Sequence, residues 1–427
     1  MTHPLYQHQI EIISDNRLWT GLFTGTGSAK TRTALELAEG KILIICPKQQ
    51  REDETWQDNA KKFGIKKDIT VISKEDFRRD WEQLLKIKWD TIIVDEAHYF
   101  FGVLPDTRQR NKVLIPKASQ LFENLCDFLK IVQPKRFYLL TATPAGKPMN
   151  VYAIATLLGH RWDFFKFREK YYFSKKMGRF RNVWIPYSDP SLKARLVEVL
   201  KGMGYTGSLA EFFDVPEQTH IVKHFSLGEA QRKALKVLKA SEADPMAVRA
   251  LTRTIENGIA YGVQIEENGN VDTVMKKTTH YPCEKTDYVV EKAQEFPKML
   301  VFATYTAQVA TITQELIANG YKNVYAVTGA TKDRSGVFKK ADAMDECILV
   351  VQSSISEGYE LPSFPVVIYA SLSNKVRDKI QGDGRVLRGN ALKKNLYITL
   401  VMKGGLDESC YKSISSGVDF NEMVMEK

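Results

Sequence analysis

Cysteine is scarce and scattered in this chain. Cys46, Cys126, Cys283, Cys347 and Cys410 are the five in 427 residues, and no two stand as a C-x-x-C pair. That spacing excludes a disulfide framework and a zinc knuckle, and suits a reducing, intracellular compartment. Long apolar runs are missing too. Stretches such as Ile42 to Cys46 fall far short of the ~18 residues of a membrane span, and no apolar segment with a cleavage site follows Met1. The expectation is a soluble, cytoplasmic, monomeric protein with no membrane partner. No short-period repeat or low-complexity tail interrupts the chain. With 44% apolar and 26% charged residues it is globular and long enough for two or three domains of ~100–200 residues. Acidic residues are in the minority: 61 Lys and Arg against 51 Asp and Glu leave +10, a balance suited to a polyanion such as nucleic acid.

The most informative stretch runs from Trp89 through Ile92-Ile93-Val94 to Asp95-Glu96-Ala97-His98. Its β-branched residues are continuous rather than alternating, the pattern of a parallel strand covered on both faces. Ligands of open α/β sheets bind beyond such strand ends. Asp95 there suits a metal site for Mg²⁺, and Glu96 suits the base that polarises an attacking water. Taken alone, the same carboxylates are equally compatible with the start of a loop.

A second segment removes that ambiguity. Trp19-Thr20-Gly21-Leu22-Phe23 reads as a strand, Gly25-Thr26-Gly27-Ser28-Ala29-Lys30-Thr31 as a glycine-rich turn, and Arg32 to Glu39 as a helix. Glycines let backbone N–H groups close around phosphate oxygens, the helix N-terminus adds positive potential, Lys30 reaches the β/γ-phosphates and Thr31 ligates Mg²⁺. Ala29 replaces the glycine usual before the lysine, so the turn must take a backbone conformation open to alanine. Together with Asp95 and Glu96 the turn makes a Walker A and Walker B pair and implies ATP and Mg²⁺ as cofactors.

Strands and helices alternate up to about residue 158, describing one doubly wound α/β domain over 1–158. Buried strands at Met299 to Ala303, Val324 to Val327, Cys347 to Gln352, Val366 to Ala370 and Leu396 to Val401 describe a second over 286–427, with no phosphate loop of its own. It offers Arg385 and Arg388 instead, three apart on one face of an expected helix. Between them, 159–285 is expected to be a mainly helical, basic-aromatic insertion. From Arg161 to Tyr187 it interleaves aromatics with cations that include Lys175, Lys176, Arg179 and Arg181. Such a mixture grips a nucleic-acid strand, or packs its aromatics inward and turns its charges to water.

The motifs in order resemble a superfamily 2 helicase or translocase, closest in layout to the Snf2-like branch and to a compact phage or bacterial type. Leu5 to Gln9 resembles the Q motif, Thr26 to Thr31 motif I, Cys46 to Trp56 the C-P-…-W form of motif Ia, Asp95 to His98 the DEAH form of motif II, and Thr141 to Pro144 motif III. Val301 to Tyr305 resembles motif IV, Thr328-Gly329 the turn after the next strand, Ser353 to Pro362 motif V, and Gln381 to Arg388 motif VI.

The resemblance implies two tandem RecA-like parallel-sheet domains closing around Mg·ATP. Gln9, Gly358 and Glu360 join the nucleotide site, Gln381, Arg385 and Arg388 join the catalytic set, the two arginines as finger elements, and His98, Thr141 and Thr143 relay the change. Pro47, Lys48, Ser73, Lys74, Thr304, Tyr305, Thr328, Ser353 and Ser354 follow strands at one sheet end, where amides and hydroxyls hold nucleic-acid phosphates. The implied activity is an ATP-dependent DNA helicase or translocase on duplex or branched DNA. An RNA helicase and a non-hydrolysing clamp remain as alternatives, the latter because of Ala29.

Overall fold

A run such as Ile92-Ile93-Val94 is stable only where both its faces are covered, and the structure buries all three completely. This computed structural model describes residues 4–427 except 111, 178–180, 188–190, 241–243, 262–263, 266–270, 273–277, 356–358, 388–392, 418 and 421–427. The chain divides into two units, Met1–Asp214 and Val215–Lys427. Each is built on a six-stranded sheet.

In the first unit the sheet order is Gly204–Gly207, Trp19–Thr24, Arg136–Leu140, Thr91–Val94, Lys41–Cys46, Asp68–Ser73, every neighbour parallel. Successive side chains point to opposite faces. Ile92 and Val94 join Leu43, Ile45, Phe137 and Leu139 on one side, closed by helices Gln120–Val132 and Pro148–Leu157. Ile93 joins Ile42, Ile44, Tyr138 and Leu140 on the other, closed by Gln7–Asp15, Lys30–Leu37 and Thr55–Lys62.

The second unit repeats the plan in the order Thr219–Phe225, Leu396–Met402, Val366–Tyr369, Lys298–Ala303, Cys347–Gln352, Val324–Val327, again all parallel. Leu300, Phe302, Leu349 and Val351 face one layer. Met299, Val301, Ala303 and Val350 face the other. Two tandem parallel-sheet α/β domains of the RecA-like kind are thus the observed fold. No described helix is long and apolar enough to cross a membrane.

The intervening 159–285 gives one edge strand to each sheet, Gly204–Gly207 to the first and Thr219–Phe225 to the second. Alongside its helices it holds an antiparallel hairpin, Tyr172–Met177 with Arg181–Pro186. Phe164, Phe167, Tyr171 and Tyr172 are buried in the first unit's core, while Lys175 and Lys176 are exposed. These four aromatics therefore pack inward, while Phe165, Phe173 and Tyr187 are exposed. Arg179 and the side chain of Arg181 lie outside the described residues. A further hairpin, Val103–Arg110 with Val113–Ala118, follows the Asp95-Glu96 turn. No local signal marks it, since its strands contain Pro105 and Pro116 and few β-formers.

The second unit buries a charged network where a core would ordinarily be apolar. Lys285 Nζ, wholly buried, lies 2.6 Å from Asp407 Oδ2 and donates to Asn257 Oδ1 at 2.9 Å. Glu256 accepts the amides of Leu406 and Asp407 at 3.1 and 2.7 Å, where the helix Leu406–Ser415 begins. Gly405 makes that approach feasible, because a Cβ there would meet the Glu256 carboxylate at 2.1 Å. Burial alone would raise the Asp407 carboxyl, but the Lys285 ammonium and the Met402 amide hold it below its ordinary value.

Removing one partner of such a pair leaves a buried charge uncompensated. Lys285→Met should destabilise the second unit by about 3–5 kcal/mol. All six tryptophans lie in the first unit, so urea unfolding followed by circular dichroism should shift while tryptophan fluorescence holds its midpoint. Equal shifts in both signals would contradict a network confined to one unit. Because the folded Asp407 value is lowered from 3.8, its stabilisation is complete above that pH and is lost as pH falls through the lowered value.

Candidate functional site

The strand Trp19–Thr24 stops where Gly25 begins a turn closed on itself. Thr24 Oγ1 and Ser28 Oγ are 2.6 Å apart, and Ser28 Oγ donates to the Gly25 carbonyl at 2.8 Å. Lys30 Nζ donates to the carbonyls of Thr24 and Gly25, both at 2.8 Å, which holds its ammonium over the turn. Gly27 has φ +81°. Ala29 has φ +61° and ψ +33° immediately before the helix Lys30–Leu37. That is left-handed backbone, which alanine occupies at a penalty of ~1–2 kcal/mol. The turn keeps the glycine conformation despite the substitution. Thr26 and Thr31 are half-buried, Thr31 in the first turn of the helix.

Two residues of the first helix support the turn from behind. Gln9, fully buried, donates to Ala29 O and Thr33 Oγ1 at 3.3 and 3.1 Å and accepts the Tyr6 amide at 3.0 Å. Its carboxamide thus positions the loop. His8 Nε2 meets Ser28 O at 3.0 Å, and its ring stacks on Phe212 at 4.3 Å. Tyr6 packs edge-on against Phe213 at 4.8 Å, and the Gly25 amide donates to Gly207 O at 2.8 Å. Sequence reasoning missed His8 and Gly207 to Phe213, because partners about 200 residues away leave no local pattern.

The strand Thr91–Val94 carries its carboxylates to the same sheet edge. The Asp95 amide donates to Ile45 O at 2.8 Å, and Asp95 Oδ1 accepts the Glu96 amide at 2.8 Å. Burial and the neighbouring Glu96 carboxylate push Asp95 up to about 7, against the pull of the Glu96 amide, Lys30 and Gln50. A buried carboxylate at this strand end is a hard-oxygen donor of the kind that fits Mg²⁺, and the half-buried Thr31 hydroxyl in the first turn of its helix is a second such donor. Glu96 is itself left-handed, φ +47°. Its Oε2 lies 3.3 Å from His98 Nδ1, which lies 3.4 Å from Thr141 Oγ1, and the Thr143 amide donates to that hydroxyl at 3.2 Å. The expected coupling residues therefore form one chain of contacts leading from Glu96.

Along the same edge, Cys46 and Ser73 are register partners, so Pro47-Lys48 and Lys74 leave the sheet side by side. Ser73 Oγ donates to Asp76 Oδ2 at 2.6 Å and accepts the Asp76 amide at 3.0 Å, which commits it to capping the helix Lys74–Leu84. Lys74 Nζ lies 3.2 Å from the Tyr99 ring centroid, while Lys48 is exposed and 3.5 Å from Glu52. Trp56 is wholly buried in the core.

In the second unit Gln381 and Arg385 are buried on the helix Val376–Val386. Arg385 donates to Tyr359 O at 2.7 Å and to Gln381 O at 3.0 Å. Arg388 and Gly358 lie outside the described residues, and Glu360 is exposed. Thr304, Thr328 and Ser353 stand at the carboxyl ends of neighbouring parallel strands. Thr304 Oγ1 and Ser353 Oγ are buried without a hydrogen-bond partner among the described residues. Thr328 Oγ1 accepts the Ala330 amide at 3.3 Å, Tyr305 precedes the helix Thr306–Ala318, and Ser354 is exposed.

Residues 283–390 match the family model of the helicase conserved C-terminal domain. A Methanocaldococcus jannaschii protein provisionally named an ATP-dependent RNA helicase is 30% identical over 156 residues, 34% of this chain and 19% of that protein's length. The Sulfolobus solfataricus SWI2/SNF2 ATPase core in complex with dsDNA aligns over 97% of this chain and 91% of its own, at 16% identity and a TM-score of 0.40.

The strained Ala29 gives a direct test. Ala29→Gly should raise stability by somewhat under ~1 kcal/mol, since relief of left-handed strain is partly offset by a more flexible unfolded chain. Nucleotide affinity should stay within about tenfold, or ~1.4 kcal/mol. Thermal unfolding and a nucleotide titration measure both. A far larger gain in affinity would mean that alanine cripples the natural loop.

Proposed function

We propose that the chain is a nucleic-acid-stimulated ATPase that moves along duplex or branched DNA, working as a cytoplasmic monomer. The observation that carries this reading is the meeting of Lys30, Asp95 and Glu96 at one sheet edge, with His98 and Thr141 in contact behind Glu96. The helicase C-terminal match in the other unit supports it.

Asp95 and Thr31 would hold Mg²⁺, which neutralises charge on the β- and γ-phosphates. Lys30 turns from its loop carbonyls to the phosphates, the amides of Thr26 to Thr31 cradle them, and Glu96 orients the attacking water. The Arg385 guanidinium bonds within its own unit, so it positions the motif VI segment and Arg388 acts as the finger. Exposed Lys48, Lys175 and Lys176, with the spare hydroxyls of Thr304 and Ser353, suit phosphate contacts that do not read sequence.

The second reading is an RNA-remodelling ATPase, favoured by the name of the Methanocaldococcus jannaschii relative. Phosphate release measured with duplex DNA and RNA of equal length separates the two. Stronger stimulation by duplex DNA is expected; preferential stimulation by RNA would transfer the proposal to RNA. No release with either would leave a clamp.

Glu96→Gln tests the base. It removes the water-orienting carboxylate but leaves Lys30 and Asp95, so nucleotide binding should persist while turnover falls by a factor on the order of 10² or more. Turnover within about threefold of wild type would sink the assignment.

A further inference from the structure

The hairpin Val103–Ala118 has no part in the nucleotide site, yet it begins eight residues beyond Asp95. Its root is anchored: Val103 is in the core, and the Ser119 amide donates to Gly102 O at 2.7 Å. Its outer half faces solvent. Arg108 to Arg110 and Lys112 to Leu114 are all exposed. The register pairs Arg108 with Ile115 and Arg110 with Val113, so those four share one face, and Lys117 follows by alternation. Gln109 and Leu114 lie opposite each other on the second face.

Arg108 is paired with Glu123. Arg110, Lys112 and Lys117 have no ion-pair partner among the described residues. Between those cations stand Val113 and Leu114, 60% and 55% exposed at the tip. A projecting strand pair gains nothing for stability by exposing adjacent apolar residues to water, and such an edge invites aggregation unless a partner uses it.

The hairpin is also tied to the other basic hairpin. Arg168 donates to Pro105 O at 3.3 Å, and its guanidinium lies 3.8 Å from the Trp184 ring centroid. Pro105 is at the root of the first hairpin and Trp184 in the second, which exposes Lys175 and Lys176. The two roots are therefore held by one side chain.

We propose that Val103–Ala118 is a nucleic-acid-engaging arm: Arg110, Lys112 and Lys117 pair with backbone phosphates, while Val113 and Leu114 press against bases unstacked at a fork or gap. Three cations without a carboxylate among the described residues match a polyanion, and exposed aliphatic side chains are the kind that wedge between base steps. This rests on the nucleic-acid reading above.

The test uses the full chain and fluorescently labelled blunt and forked duplexes over a series of salt concentrations. Substituting Arg110→Gln, Lys112→Gln and Lys117→Gln together should lower the slope of log affinity against log salt by about 2–3, at ~0.9 for each phosphate no longer neutralised. Nucleotide affinity should not change. Val113→Ser with Leu114→Ser should leave the slope intact and weaken forked duplex at least about fivefold more than blunt. A wild-type slope in the triple variant overturns the arm while leaving the ATPase reading standing. Absence of salt-dependent binding by wild type overturns both. Should the triple variant misfold, reductive methylation of wild type decides: DNA must protect Lys112 and Lys117, and equal labelling with and without DNA rejects the proposal.

Discussion

Parallel pairing sends every strand of a sheet in one direction, so every turn that follows a strand emerges on one edge. In the first unit Lys30, Asp95-Glu96 and Thr141 come from three separate segments, and two ladders hold their strands side by side. The register fixes more than proximity. Because the Asp95 amide still bonds Ile45, the last ladder bond delivers Asp95 buried and leaves Glu96 to turn outward in left-handed backbone. A one-residue slip would exchange the faces of Ile92, Ile93 and Val94 and withdraw both carboxylates.

Strain collects at the same edge. Ala29 and Glu96 are two of the six non-glycine residues with positive φ among those described, one in each half of the proposed nucleotide site. Neither would hold that conformation in a free peptide. Around Ala29 the surrounding bonds from Gln9 and His8 over-determine the loop, the usual condition under which such backbone persists at working sites. The second unit is burdened differently. Its strain is electrostatic, concentrated where Arg253, Glu256, Lys285 and Asp407 replace apolar packing, and Arg253 extends it by donating to Leu372 O at 2.8 Å, just ahead of the helix bearing Gln381 and Arg385. The Val376 amide at that helix start is capped by Asp419 at 2.9 Å.

Much of this was legible in the sequence for a definite reason. Strands such as Lys41–Cys46 and Cys347–Gln352 are apolar without interruption because helices cover both faces, and phosphate loops need local glycines. What escaped depends on distance or on context. Gly204–Gly207 has no apolar run and becomes a strand only beside Trp19–Thr24. Lys285 and Asp407 look like surface residues until the fold joins them. Ser73 is a plausible phosphate ligand by position, but its hydroxyl answers Asp76 three residues on, which composition does not foretell. Ala29 shows the reverse case: the sequence departs from glycine and the backbone keeps glycine's geometry.

The contacts of Gly207, Phe212 and Phe213 have a mechanical side. The first unit ends at Asp214, one residue after Phe213. Its final segment is riveted to the phosphate loop by a peptide bond's hydrogen at Gly25 and by a ring against His8, which in turn grips Ser28. A loop that tightens on a ligand would therefore pull on residues 207–213, and the last stretch of the first unit would register the grip of a loop it follows by about 180 residues.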